Sequence, residues 1–239
     1  MITDWIVAIG TIVLALIAAI AIFQDRIRGW LQRPILNVTI EMQPPDCHKT
    51  PFRYERATVP SGARMYALPQ SPIGESQAYY CKLRINNTGN EAALNAEVIA
   101  LELLRKRADG TYGKVNDFLP MNLAWSHVNV IHIPFISPGT YKHCDLFHVI
   151  YPPDRKTIDY ENRDWPGTPP EKTVISFDTV VKAFTLSHLV PNGAYRLLVQ
   201  VAATNAKPAV RQLDINLTGD WFEEEERMLR DGIGISVIR

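Results

Sequence analysis

The chain has 239 residues, 46% of them apolar, and its 25 Lys plus Arg equal its 25 Asp plus Glu. That balance leaves no basic stripe downstream of Arg33 and argues against a nucleic-acid binder. Three cysteines, Cys47, Cys81 and Cys144, are too few and too odd a number for a disulfide framework and suit a reducing compartment.

The first predicted element is Trp5 to Phe23, WIVAIGTIVLALIAAIAIF, which carries no charge and no polar face. As a helix it spans about 28 Å, close to the hydrocarbon thickness of a bilayer. A secretory signal peptide is the competing reading, but Asp4 precedes the run where a basic region belongs. Ile22 and Phe23 also extend it past the cleavage-like Ala19-Ile20-Ala21. The segment is therefore read as an uncleaved membrane anchor. Arg26, Arg28 and Arg33 outnumber Asp25 on its C-terminal flank, which predicts the N-terminus outside and residues 34–239 in the cytoplasm. Gly29 and Pro34 end the helix, giving an anchor with a basic juxtamembrane helix over 1–33 and a second domain over 34–239.

Ile35 to Met42 alternates apolar and polar residues as a half-buried strand does. Gln43 to Gln77 is then expected as a long irregular connection rich in proline. Tyr79 to Asn86 alternates again, and Asn87-Thr88-Gly89-Asn90 supplies turn chemistry tolerant of positive φ. Residues 91–107 are rich in Ala, Glu and Leu, so helix propensity competes with the alternation from Asn95 to Lys106. The alternation is taken as a strand. Further strands are expected over Tyr141 to Ile150, Thr173 to Phe177, Tyr195 to Ala203 and Val210 to Leu217. Between the first two of these, Tyr151 to Lys172 forms a second proline-rich loop. Asp220 with Glu223 reads as a capping box opening a short helix that Gly232 ends, after which Ile233, Ile235 and Val237 alternate as an edge strand.

Two stretches carry a resemblance: YYCKLRINNTGNEAALNAEVIALELL and PNGAYRLLVQVAATNAKPAVRQLDINLTGDW. Both resemble immunoglobulin-like β-sandwich modules of the CARDB-like kind. With the N-terminal anchor, the whole resembles bacterial single-pass membrane proteins built this way. The resemblance implies an all-β, immunoglobulin-like antiparallel β-sandwich of seven to nine strands, preceded by one transmembrane helix and followed by a short C-terminal helix. It also implies location at the bacterial inner membrane, and it implies no chemistry.

Catalytic signatures are absent from the sequence: no G-x-x-x-x-G-K, G-x-S-x-G, H-E-x-x-H or C-x-x-C occurs. Cys144 and His148 stand four apart on an expected strand and so share a face, with His143 on the other. If the loop bearing Cys47-His48 folds over them, Cys47, His48, Cys144 and His148 compose a tetrahedral zinc site; otherwise they are ordinary core residues. The two long loops carry Phe52, Tyr54, Tyr66, Tyr160 and Trp165, aromatics of the kind that anchor a protein partner, or else pin the loops to the sheets. Three function classes follow. The first is a membrane-anchored, non-enzymatic interaction module with an unidentified protein partner. The second is a ligand-sensing membrane effector that oligomerises through its helix, whose Ala15, Ala18, Ala19 and Ala21 permit close approach. The third is a metal-dependent enzyme on the Cys/His set.

Overall fold

The fold is described from a computed structural model, which covers residues 2–31, 33–55, 73–156, 158, 161, 163–165 and 167–238. Helix α1 (Ile2–Leu31) contains the apolar run. Among the described residues it is the one helix long and apolar enough to cross a membrane, with a mean hydropathy of 2.8 over Trp5–Ile22. None of those side chains is buried. Its apolar surface thus has no protein partner in this chain, unlike that of a soluble core helix.

The rest is an antiparallel β-sandwich. The first sheet takes β1 (Leu36–Thr39), β3 (Ile73–Asn87), β8 (Tyr141–Ile150), β9 (Val174–Phe177) and β10 (Leu189–Pro191) in that order, with β2 (Cys47–Glu55) also paired to β3. The second runs β13 (Ile233–Ile238), β12 (Ala206–Leu217), β11 (Gly193–Ala203), β4 (Ala93–Lys106), β5 (Tyr112–Lys114), with β6 (Met121–Asn122) and β7 (Ile133–Ile136) also on β4. The strand number exceeds the expected seven to nine because β5, β6, β7 and β10 are pieces of two to four residues, too short for alternation to register. Inward residues of both sheets form one core, among them Leu83, Ile85, Phe147, Phe177, Val98, Leu103, Leu197 and Val199. Tyr195 on β11 donates its hydroxyl to the Pro191 carbonyl at 2.7 Å. That is the tyrosine corner of immunoglobulin-like sandwiches, and β12-β11-β4 matches their G-F-C sheet order.

Helix propensity loses at β4. The strand is paired on one side to β11 along eight registered positions and on the other to β5, β6 and β7. Its Ala93, Ala96 and Ala100 face inward, and the Trp125 indole fills the space they leave, donating to Ala96 O at 3.1 Å. The Asn87-Thr88-Gly89 turn has an equally concrete role. Buried Asn87 accepts from the Ile35 and Gly89 amides and donates to Glu91 O and Ile136 O. It thereby fixes the point where the chain leaves the anchor and enters β1.

Three expectations are corrected. Gln43–Gln77 is no single loop, since β2 and the first residues of β3 lie within it as a long hairpin. Pro51 disguises β2, but an edge strand tolerates proline. The Asp220–Glu223 capping box does not form: α3 (Glu225–Arg227) starts after Glu224 without a side-chain cap. Asp220 instead pairs with Lys172 and Glu223 with Lys49. The helix passes straight into a π turn over Met228–Gly232 and then β13, while Glu225 caps the edge of β2 by accepting from the Lys49 amide at 2.6 Å.

Candidate functional site

One irregularity in β8 decides where the ligand-type residues point. Cys81 pairs with Phe147 but Lys82 pairs with Asp145, so Leu146 is an extra residue in β8. Such a bulge reverses the inside–outside parity of everything beyond it. Cys144 faces the core, and His148, four residues on, faces out.

The proposed zinc set is therefore divided by the sheet itself. Cys47 lies opposite Cys81 in the core, its Sγ 3.8 Å from Met42 Sδ, and Cys144 is in the same core. Burial drives the Cys144 thiol well above its ordinary pKa, helped by Asp145 and Asp178, so it is no ready thiolate ligand. His48 and His148 occupy the outer face, in a cross-strand row with Tyr80 and Ser176. Among the described residues no group of three or more His, Cys, Asp or Glu is arranged to hold a metal ion.

His148 is the centre of what that outer face does hold. It is 2% exposed and stacked against Phe52 and Tyr80, with both ring centroids at 5.1 Å. Its Nδ1 lies 2.8 Å from Asp178 Oδ1 and its Nε2 3.5 Å from Glu161 Oε1. Burial alone depresses its basicity, but the charge and hydrogen bond of Asp178, joined by Glu161, more than reverse this and raise the pKa to about 9. The ring is an imidazolium at neutral pH. Glu161 is itself held by the Ser176 hydroxyl at 2.7 Å.

Beside this group opens a cleft of about 530 Å³, lined by Phe52, Tyr80, His148, Asp145, Asp178 and Lys182, and by a turn carrying Trp125, His127 and Asn129. His127 and Asn129 both adopt positive φ, 70° and 48°, in the turn that hydrogen bonds from the Val128 and Asn129 amides to Trp125 O close. Non-glycine residues held in this region are strained, and such strain gathers at recognition sites. On the floor, Asp145 accepts from the Ser126 hydroxyl at 2.5 Å and lies 4.0 Å from Lys82. Burial raises its pKa, with a further push from Asp178 against the pull of Ser126 and Lys82. Donors and acceptors thus converge on a concave surface with aromatic walls, as ligand sites commonly do.

The aromatics named from sequence separate. Tyr66 and Tyr160 lie outside the described residues. Phe52 and Tyr54 are buried in a second cluster with Ala78, Ile150 and Ile158, where the Tyr151–Lys172 segment covers the outer face of the first sheet. Tyr54 is therefore no exposed anchor, and Phe52 contributes as a cleft wall. Trp165 is half-buried beneath two guanidinium groups, with Arg155 5.8 Å and Arg163 5.3 Å from its centroid. The two bracketing strand ends, Glu55–Ile73 and Ile150 beside Ala78, are at the same end of the sheet, so both long segments leave from there.

No family model matches the chain, and no curated protein does. Among solved structures, a hemolymph-type prophenoloxidase from a crustacean is similar over 73% of this chain and 26% of that one, at 10% identity and a TM-score of 0.27. The chain thus spans about a quarter of that protein's length, and a likeness at this level carries no argument.

Proposed function

We propose that the chain is a membrane-anchored, non-enzymatic binding module of a bacterial inner membrane, N-terminus out, whose cytoplasmic β-sandwich engages an unidentified partner through the cleft beside His148. The observation that carries this reading is the cleft: polar groups from four strands and a strained turn converge on it, yet its histidine is spent. Both ring nitrogens of His148 are committed to carboxylates and the ring is cationic, so it has no lone pair to serve as a base. Asp178 is likewise engaged by the imidazolium and Asp145 by Ser126. Such a constellation is rigid, and rigidity suits recognition. The uncovered helix and its basic flank support the tether.

A photoreactive residue at Val128, exposed at the tip of the cleft turn, tests the reading in cells carrying the full chain. Val210, exposed on the other sheet, is the control site. The expected result is an adduct of defined mass from position 128 alone, lost when Lys182→Glu inverts the charge at the cleft wall. Equal labelling from both positions, or none from position 128, overturns it.

A further inference from the structure

On the flank next to the cleft, segments around Leu119–Met121, Ile131 and Val180–His188 enclose an apolar groove of about 280 Å³. Beside it Phe184 stands wholly exposed, at 106%, with Val181 at 75% and Leu119 at 50%. An isolated exposed hydrophobe needs no explanation, but three around a groove do. The loop that presents Phe184 is held rather than slack. The Leu186 amide donates to Ala183 O at 2.9 Å, the Leu189 amide to Leu186 O at 3.0 Å, and Arg163 donates to Leu186 O at 3.0 Å. Leu186 keeps a φ of 54° in this arrangement, a left-handed conformation that a leucine rarely adopts.

We infer that this flank is a self-complementary interface between two copies of the chain, in which Phe184 of each copy seats in the groove of the other. A two-fold interface requires one patch to carry both the projection and its receptacle, and here they are neighbours in one loop. Size agrees, since an apolar cavity of about 150 Å³ holds a benzene ring. Charge agrees as well. The groove is lined by neutral residues and buried His188, and the Lys182 ammonium beside it turns back to the Phe177 carbonyl at 3.2 Å. Two like patches therefore meet without like-charge repulsion. The position on the fold also permits it. The chain leaves its anchor at the end of the sandwich where Arg33 and Ile35 bond to Asn90 and Thr88, whereas the Leu123–Thr179 bridge sets the patch on the side. Two copies anchored in one membrane can meet side to side, and confinement there raises their effective concentration. The inference rests on the tether proposed above and adds the partner for a second surface.

Sedimentation of the full-length protein in detergent micelles tests it. Wild type is expected as a dimer at micromolar concentration, and Phe184→Asp as a monomer with an unchanged thermal melt, the dissociation constant weakening by about thirtyfold or more. A chimera with residues 5–23 replaced by a polyleucine span should stay dimeric. Copies with Phe184→Cys mixed with copies with Leu119→Cys should crosslink under mild oxidation, because the native cysteines are buried. A monomeric wild type, a dimer that survives Phe184→Asp, or a monomeric chimera overturns the inference. Failure of the tether would show separately, as release of the chain from membranes by alkaline carbonate with the dimer intact.

Discussion

Replacing His148 by Gln deletes the positive charge between Asp178 and Glu161 while keeping a side chain of similar reach. The magnitude follows from the proton affinity. The imidazole is raised from 6.5 to about 9 by its burial environment, and a displacement of that size is worth about 3 kcal/mol of stability. Because the folded-state value lies above the unfolded one, the contribution is complete below pH 6.5 and disappears as pH rises from 6.5 to about 9. In that window the folded chain holds a proton that the unfolded chain has released. The group is 2% exposed, so solvent screening takes little from this figure. Urea unfolding of the full-length protein in detergent, followed by tryptophan fluorescence at half-unit steps of pH, reads the effect. Wild type should lose about 3 kcal/mol between pH 6.5 and 9, and His148→Gln should start lower by that amount and be flat over the same range. Equal stability at pH 6, or parallel slopes in the two proteins, refutes the argument that His148 is a buried imidazolium.

Asp46→Ala removes a wholly buried carboxylate that accepts from Arg84 at 2.7 Å, His143 at 3.0 Å and the Glu41 amide at 2.9 Å. It should cost about 3 kcal/mol or more in urea, with Asp46→Asn costing less. Trp165→Ala strips the ring from two guanidinium groups, at about 1 kcal/mol each. It should lower the melting temperature by roughly 4–8 °C. An unchanged melt would return Trp165 to the role of a free recognition residue. A Cβ on Gly89 would meet main-chain atoms of Arg33, Pro34 and Ile35. Gly89→Val should therefore unseat the start of β1 at a cost of about 2 kcal/mol and expose the junction to limited proteolysis.

Period-two alternation carries most of the sandwich. Tyr141–Ile150 and the cores of β3, β4, β11 and β12 are written in their own residues, because each strand buries one face. Alternation cannot show where it is broken. The extra residue at Leu146 leaves no mark in the sequence, yet it sends Cys144 and His148 to opposite sides of the sheet and dissolves the apparent zinc set. The cleft is hidden for a different reason. His148 is visible as a histidine, but Glu161 and Asp178 join it from a loop and from the residue after β9, and no spacing connects them. The phrase Pro191-Asn192-Gly193-Ala194-Tyr195 is legible as a turn feeding a strand, while the bond from Tyr195 back to Pro191 emerges only from the corner it closes.

Cleft and flank are both argued for a sandwich that is tethered to a membrane and faces the cytoplasm, so the position of residues 34–239 is the most direct test. Ala108 lies exposed in the turn between β4 and β5, and Cys47, Cys81 and Cys144 are buried, so Ala108→Cys offers a thiol reporter on a silent background. In membranes washed with alkaline carbonate the chain should stay in the pellet. An impermeant maleimide should label it only after the cells are opened. Labelling of intact cells, or release of the chain by carbonate, contradicts the account.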